Sequence, residues 1–478
     1  MGATKSGGRV DGGWQAEALL EQALTAVRKR NYDRALVLLT DAIGFDPHMK
    51  EAWTLRGNIK TAQGEWFDAL LHFDRALTVR NDAYDAWNNR GTCLANLGQW
   101  GAAEASFKRS AEIMPARDPH MGLANMYCTL MRLPEAVEQY RAAIAFDQDD
   151  YEAHFNLGVT LLGLGLWEEG FAEYQYRWAN DPFPPSARRL YPQWKGEDLA
   201  GKTILLYAEQ GYGDEIMSSR YAILLAHVKG AHVVLETRAP FTRLARCLIQ
   251  DHGIHVAGRG DLAYDARDAS VDFSCALLDV PMITGMFPDQ AEMPRPLKYL
   301  SAPRGLVEQW KLRLVRSGLN VGLCWGSGRH LSTSPGARQV KSIPIQLLAG
   351  LKLSGVNLIS LQKPAEPTPP EMEVTDWTDE LHDLADTAAL IECLDLVITV
   401  DTAVAHLAGA LGKPVWNLVR FSGYWPWLAP PSGRVSSHSI WYPSMTLYRQ
   451  PALGDWSTPV NKVINDLKLL QLKTERAA

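Results

Sequence analysis

The sequence lacks several features that would settle its chemistry at once. Its six cysteines, Cys93, Cys128, Cys247, Cys275, Cys324 and Cys393, contain no C-x-x-C pair and no metal-ligand spacing. They therefore spell neither a zinc site nor a disulfide framework, and several read as small core residues of a reducing compartment. No apolar run is long enough to span a bilayer and no secretory signal is visible, so a cytoplasmic protein without a membrane span is expected. Surplus positive charge is also missing. With 48 Lys and Arg against 54 Asp and Glu, the net charge of -6 argues against a general nucleic-acid binder, though not against a local basic cleft. No Walker A sequence occurs, which disfavours a nucleotide hydrolase of that class. Gly211-Tyr-Gly213 falls short of a G-x-G-x-x-G dinucleotide turn, because Ile216 stands where Gly or Ala is needed.

What is present is ample for folding. Hydrophobic residues make up 46% of the 478 and charged residues 21%, which predicts sizeable cores in two or three domains rather than wholesale disorder. Met1-Gly2-Ala-Thr-Lys-Ser6 fits an N-myristoylation pattern, but the Gly/Ser-rich residues 1–13 read as a disordered tail.

The chain is organised around Leu396-Val-Ile-Thr-Val-Asp401-Thr402-Ala-Val-Ala-His406-Leu-Ala-Gly409-Ala-Leu-Gly412-Lys-Pro414. The β-branched run predicts a buried parallel strand. Asp401 and Thr402 suit a helix N-cap, and Ala403 to Leu411 continue as a helix that Gly412 and Pro414 stop. A strand, a polar turn and a helix N-terminus form a ready anion site. His406 lies one turn below Thr402 on the same face. A capped helix with a buried His fits the spacing equally well.

The first third repeats itself. Gly57, Ala69 and Ala76 form one set; Gly91, Ala103 and Ser110 the next; then Ala124, Ala136 and Ala143, and Gly158 and Gly170. Ala23, Ala35 and Ala42 make an earlier copy, and aromatics such as Trp53, Trp87, Phe73, Phe107, Tyr140 and Tyr174 keep step. This is the period and residue pattern of the tetratricopeptide repeat, about five helical hairpins over residues 14–180. Stacked hairpins form an α-solenoid with a concave surface suited to a protein or peptide; a structural spacer is the plainer reading. Asn88, Asn89, Asn125 and Asn156 are candidate groove residues, able to hydrogen-bond an extended backbone. The copy around Ala124 deviates most: His120 replaces the tryptophan, and Pro134 is expected to interrupt the inter-helix turn.

Asp181-Pro-Phe-Pro-Pro-Ser opens a linker, residues 181–200. Strand and helix then alternate. Apolar runs at 202–207, 231–236, 271–274, 319–325, 356–361, 396–400 and 415–419 are the predicted strands, with helices between them and a terminal helix over 460–475. This predicts two Rossmann-like parallel-sheet domains, 201–302 and 303–478, and an α + α/β chain overall. Ligands of such sheets bind at the carboxyl ends of the strands, where Asp214, Ser327, Gln362 and Asp401 all fall.

Gln210-Gly-Tyr-Gly-Asp214 with Tyr221, Val321-Gly-Leu-Cys-Trp325, Lys341-Ser342-Ile-Pro344, Ser360-Leu-Gln362-Lys363, and Asp401-Thr402 with His406 and Gly409 together resemble a bacterial tetratricopeptide-repeat glycosyltransferase. The C-terminal part is similar to the heptosyltransferase-like clan of two-Rossmann (GT-B) sugar transferases, and the domain pairing resembles protein O-GlcNAc transferases. The resemblance implies transfer of a sugar from a nucleotide-sugar donor held in the cleft. Asp401, Thr402 and Ala403 would hold donor phosphates or sugar, with His406 supporting their loop. Lys341, beside Ser342, and Lys363 would counter the diphosphate charge that grows as the nucleotide leaves. Gln362 would contact base or ribose, and Trp325, Gly326 and Ser327 would line the donor pocket. On the acceptor side, Gln210, Gly211, Tyr212 and Gly213 precede Asp214, the candidate general base; capping of the following helix is an equal use of that Asp. No Asp-x-Asp site occurs in the donor loops, so neither a metal nor a cofactor is expected. Where clan members often carry Gly, this chain has Ala403. The 332–338 loop, the 430–433 stretch and Ser436 also depart from the usual pattern, which leaves donor identity open.

The expected function is transfer of a sugar to a protein recruited by the repeats, for example flagellin or another surface protein by family analogy. A non-enzymatic repeat scaffold with an inactive GT-B region is the alternative. Transfer to a lipid-linked or polysaccharide acceptor is a third reading, disfavoured because no basic amphipathic helix is apparent.

Overall fold

A computed structural model describes residues 13–179, 191–259, 271–288, 298–315, 317–326, 341–428 and 437–477. Ser327, the 332–338 loop, the 430–433 stretch, Ser436, residues 1–12 of the tail and residues 181–190 of the linker lie outside them. The chain divides into two compact units, residues 1–157 and 158–478.

The N-terminal unit is built from antiparallel helix pairs: α1 (Gly13–Arg28) with α2 (Tyr32–Phe45), α3 (Lys50–Ala62) with α4 (Trp66–Val79), α5 (Tyr84–Asn96) with α6 (Trp100–Ile113), and α7 (Arg117–Thr129) with α8 (Leu133–Phe146). The fifth pair is α9 (Tyr151–Gly163) and α10 (Trp167–Tyr174), and the boundary between the units falls within α9. The recurring small residues have a steric reason. A Cβ on Gly57 would lie 2.5 Å from the buried Phe73 ring, and one on Gly91 2.8 Å from Phe107. The indoles of Trp53 and Trp87 donate to the carbonyls of Pro47 and Asn81 at the preceding turns. His120 fills the equivalent place by stacking on Phe146 and hydrogen-bonding Gln139. Pro134 does not interrupt the turn before α8; it occupies the first turn of that helix, where a missing N–H costs nothing.

Gly158 of α9 faces backbone. A Cβ there would lie 2.6 Å from the Tyr174 nitrogen. Gly158→Ala is expected to lower the thermal midpoint, since overpacking costs about 1–3 kcal/mol against roughly 1 kcal/mol of gained helix propensity. An unchanged or raised melting curve would show that α9 and α10 can separate freely.

The C-terminal unit holds two parallel sheets. The first comprises β1 (Thr203–Tyr207), β2 (His232–Thr237), β3 (His255–Gly258) and β4 (Phe273–Ala276) in the order β3-β2-β1-β4. Its helices are α11 (Tyr212–Ser218) and α12 (Arg220–Val228), α13 (Ala239–Ala245) and α14 (Cys247–His252), and α15 (Val280–Thr284). After α16 (Arg304–Arg313) comes the second sheet: β5 (Leu319–Cys324), β6 (Val356–Ser360), β7 (Leu396–Val400), β8 (Val415–Val419) and β9 (Met445–Arg449), in the order β6-β5-β7-β8-β9. Helices α17 (Leu384–Glu392) and α18 (Ala403–Ala410) flank it, and α19 (Ser457–Ala477) closes the chain.

Every residue of β5 and β7 is buried, as expected of central parallel strands covered on both faces. Val460, Val463 and Leu467 of α19 join the core beneath this sheet with Leu348, Leu351 and Trp325. Strands β3 and β9 were not apparent in the sequence, because each is a short edge strand with little apolar pattern. The predicted 345–351 helix is a 3-10 segment, Ile345–Leu351.

Candidate functional site

Each sheet reverses its strand order once. In the first, β2 and β3 lie on one side of β1 and β4 on the other; in the second, β6 lies on one side of β5 and β7 to β9 on the other. Crevices open at the carboxyl ends of the strands at such reversals. Gln210 to Asp214 follow β1, Gly326 follows β5, and Asp401 and Thr402 follow β7. The helices behind two of these loops, α11 and α18, pack against each other. Gly213 permits this approach: a Cβ there would lie 2.6 Å from Cδ2 of His406.

Asp214 is the third residue of α11, and the N-cap is Gly211. Its Oδ2 accepts the Gly211 amide at 3.1 Å, so the capping role is filled in a reversed sense. Its Oδ1 accepts the hydroxyl of Tyr424 at 2.7 Å. Burial pushes the Asp214 carboxyl up to about 6; the Tyr424 and Gly211 hydrogen bonds and Lys341 oppose this, and the charge of Asp401 adds to it. Gln210, Gly211, Tyr212 and Gly213 are all half-buried, and the Tyr212 ring lies under the Arg238 guanidinium at 4.2 Å.

On the facing side, Asp401 Oδ1 accepts the indole N–H of Trp427 at 2.6 Å, and its Oδ2 lies 3.5 Å from the Lys341 ammonium. Thr402 is the N-cap of α18, with its side chain against Thr399 and Cys324 rather than capping. Ala403 is half-buried at the helix start, where the first amides have no intrahelical acceptor. His406 is 3% exposed and lies against Trp427, with Nδ1 hydrogen-bonded to the Tyr442 hydroxyl at 3.0 Å. Burial lowers its imidazole to about 4, so it is neutral at pH 7 and acts as a packed prop for both loops.

Three expected donor contacts are placed differently. Gln362 is 1% exposed, and its Oε1 accepts the amides of Trp325 and Gly326 at 3.1 and 2.8 Å. It shapes the β5 loop from beneath instead of presenting itself to a base or ribose. Trp325 is likewise buried in the core, with its indole N–H on Glu366; Gly326 is buried beside it, and Ser342, next to Gly326, is half-buried. The Lys363 ammonium donates to the Leu381 carbonyl. Lys341 is the cation beside Asp401.

Three further residues join the site that sequence reasoning did not single out: Tyr424, Trp427 and Arg420. Arg420 follows β8 directly, is half-buried, and has no hydrogen-bond partner for its buried Nε among the described residues. Burial lowers its pKa while Asp401 opposes that shift. A cation immediately after an apolar strand was the available signal.

In the repeats, Asn89 donates to Asn58 at 2.9 Å and Asn88 lies beside it, so these form a polar ladder across α3 and α5. The Asn125 carbonyl is taken by the Tyr140 hydroxyl at 2.6 Å, and Asn156 is half-buried on α9. Among the described residues, no helix is long and apolar enough to cross a membrane.

Comparison with known proteins matches residues 381–420 to glycosyltransferase family 9 (heptosyltransferase). Residues 20–78 and 57–119 match the tetratricopeptide repeat, and residues 124–165 match a further TPR repeat model. Protein FlbA of Caulobacter vibrioides is 25% identical over 468 residues, which cover 93% of this chain and 71% of FlbA. Anaphase-promoting complex subunit 3 of Schizosaccharomyces pombe is 25% identical over 36% of this chain and 27% of its own length. Protein O-mannosyl-transferase Tmtc3 of Drosophila melanogaster is 28% identical over 23% of this chain and 13% of its own length. Among solved structures, MamA matches 33% of this chain and 92% of its own at 18% identity, with a TM-score of 0.31. The chain thus joins a tetratricopeptide-repeat array to a parallel-sheet region that resembles the heptosyltransferases of glycosyltransferase family 9.

Proposed function

We propose that this protein transfers a sugar from a nucleotide-sugar donor to a protein acceptor brought in by the repeats. The observation that carries the reading is the meeting of two strand-order reversals, one bearing Asp214 and the other bearing Lys341, Asp401 and the start of α18. A donor diphosphate is suited to the second side. Lys341 and Arg420 would meet its charge, and the amides of Ala403 and Val404 would add the helix dipole. Those groups would stabilise the negative charge that builds on the leaving nucleotide, with no metal required. Asp214 would take the proton from the acceptor hydroxyl as that oxygen attacks the anomeric carbon. The Asn58, Asn88 and Asn89 ladder would hold an extended acceptor segment through its backbone amides.

The test is a thermal-shift panel of nucleotides and nucleotide sugars on the wild type and on Lys341→Gln. Lys341 is preferable to Asp401 for this purpose, because Asp401 also anchors the Trp427 indole. A ligand at about a hundred times its dissociation constant stabilises by roughly 2.7 kcal/mol. A shift with one nucleotide class, weakened in Lys341→Gln, is the expected result. No shift with any member would favour the scaffold reading, with the repeats as the functional part.

A further inference from the structure

We propose that Tyr424 is a positioning residue for the transfer step, holding Asp214 from the opposite sheet domain and keeping its carboxylate ionised. Its catalytic meaning rests on Asp214 being the base. The contact itself is a 2.7 Å hydrogen bond between residues 210 positions apart, from the loop after β8 to the helix after β1. The direction of the bond matters. Burial and the neighbouring Asp214 charge hold the Tyr424 phenol well above its ordinary range, so it stays protonated and donates to the carboxylate. A donor to a carboxylate favours the charged form. With one bond on each oxygen, from Tyr424 and from the Gly211 amide, the carboxylate still has lone pairs for an acceptor hydroxyl.

The segment Tyr424-Trp-Pro-Trp427 is locked at both ends. Trp425 is 2% exposed and meets Trp167 and Phe171 of α10 edge-on, with ring centroids 6.3 and 6.1 Å apart. Its other face meets Trp441 at 5.7 Å. Trp427 donates to Asp401, and its carbonyl accepts from Arg449. One short segment therefore touches both carboxylates of the cleft and leans on the last repeat helix. Tyr424→Phe keeps the ring against Trp425 and removes the hydroxyl that donates to Asp214.

The charged and titratable groups that bear on Asp214 are Tyr424, Asp401 and Lys341, with Glu209 and Tyr174 also within its influence. The experiment is a carboxyl-carbon NMR titration of the full chain labelled at the Asp side-chain carbonyl, in wild type and Tyr424→Phe. The Asp214 signal is identified by its loss in Asp214→Asn. The expected wild-type midpoint is near pH 6, and Tyr424→Phe is expected to raise it by about one pH unit and to lower the melting temperature above that midpoint, where the carboxylate is charged, rather than below it. The acid limb of the rate, followed as nucleoside diphosphate release from the donor found in the thermal-shift panel, should move up with it. An unmoved midpoint in Tyr424→Phe would overturn the proposal. The titration separates this failure from that of the base: if Asp214→Asn keeps full turnover while Tyr424→Phe still moves the midpoint, the pairing stands and the role given to Asp214 falls.

Discussion

Asp214→Asn is expected to lower the turnover number about 10²–10⁴-fold, the range supplied by a positioned general base. The amide keeps the shape of the side chain, so the α11 cap and the contact with Tyr424 can survive in altered form. What it loses is the ability to accept a proton. Burial pushes the wild-type carboxyl up to about 6, so the base form is depleted below that pH and the rate should fall on the acid side with a midpoint near 6. The variant should show a low rate without that limb. The measurement is a pH profile of nucleoside diphosphate release by both proteins. Equal rates, or an acid limb that persists in Asp214→Asn, would assign Asp214 to helix capping alone.

The second large effect is on stability. Arg177→Ala is expected to destabilise the C-terminal unit by about 3–5 kcal/mol, the cost of stranding buried carboxylates by removing their partner. Arg177 follows α10, and its guanidinium donates to Glu209 at 2.8 Å and to Asp279 at 2.5 Å. Gln175 adds a bond to Asp279 at 2.9 Å, and the guanidinium lies over the rings of Tyr174 and Trp178. The side chains of Arg177, Glu209 and Asp279 are 5%, 5% and 8% exposed, so solvent screening does little to soften the loss. Burial already raises Glu209 to about 7, against the pull of Arg177. A carboxyl raised in the folded state binds its proton there before the unfolded chain does, so its contribution to stability falls as pH rises through 7. The deficit of Arg177→Ala should therefore be smaller at pH 5.5 than at pH 8. Urea denaturation at both values checks this, and Arg177→Ala combined with Glu209→Gln should recover part of the loss at pH 8. A deficit below about 1 kcal/mol would mean that water replaces the guanidinium.

This cluster also explains why the last repeat hairpin belongs with the parallel-sheet region. Residues 14–180 read as one array because the repeat period continues through Gly158 and Gly170. Trp167 and Phe171, however, keep the repeat pattern while packing on Trp425, and Arg177 joins α10 to the ends of β1 and β4. Period reports that a hairpin exists; it does not report which neighbour covers that hairpin.

The same distinction runs through the site. The loops at Asp214, Gly326 and Asp401 were legible, because an apolar strand followed by a polar turn and a helix start is a local pattern. Gln362 and Trp325 were legible as members of those loops but not in their facing, which depends on the core packed beneath the second sheet. Arg420 was marked only as a cation directly after an apolar strand, and Tyr424 and Trp427 carried no pattern beyond an aromatic-rich segment after β8.

The sequence by itself determined the helical array, the alternation of strand and helix, and the loops that reach the carboxyl ends of the strands. Each of these is written in the spacing of residues a few positions apart, where backbone geometry imposes periods of 2 and 3.6. Only the tertiary structure decided that Tyr424 meets Asp214 over 210 positions, that Arg177 meets Asp279 over 102, and that His406 lies against Gly213. These contacts accompany the packing of α11 on α18 and of α10 on α15. Such packing is set by the shape of whole surfaces, and no short stretch of sequence records it.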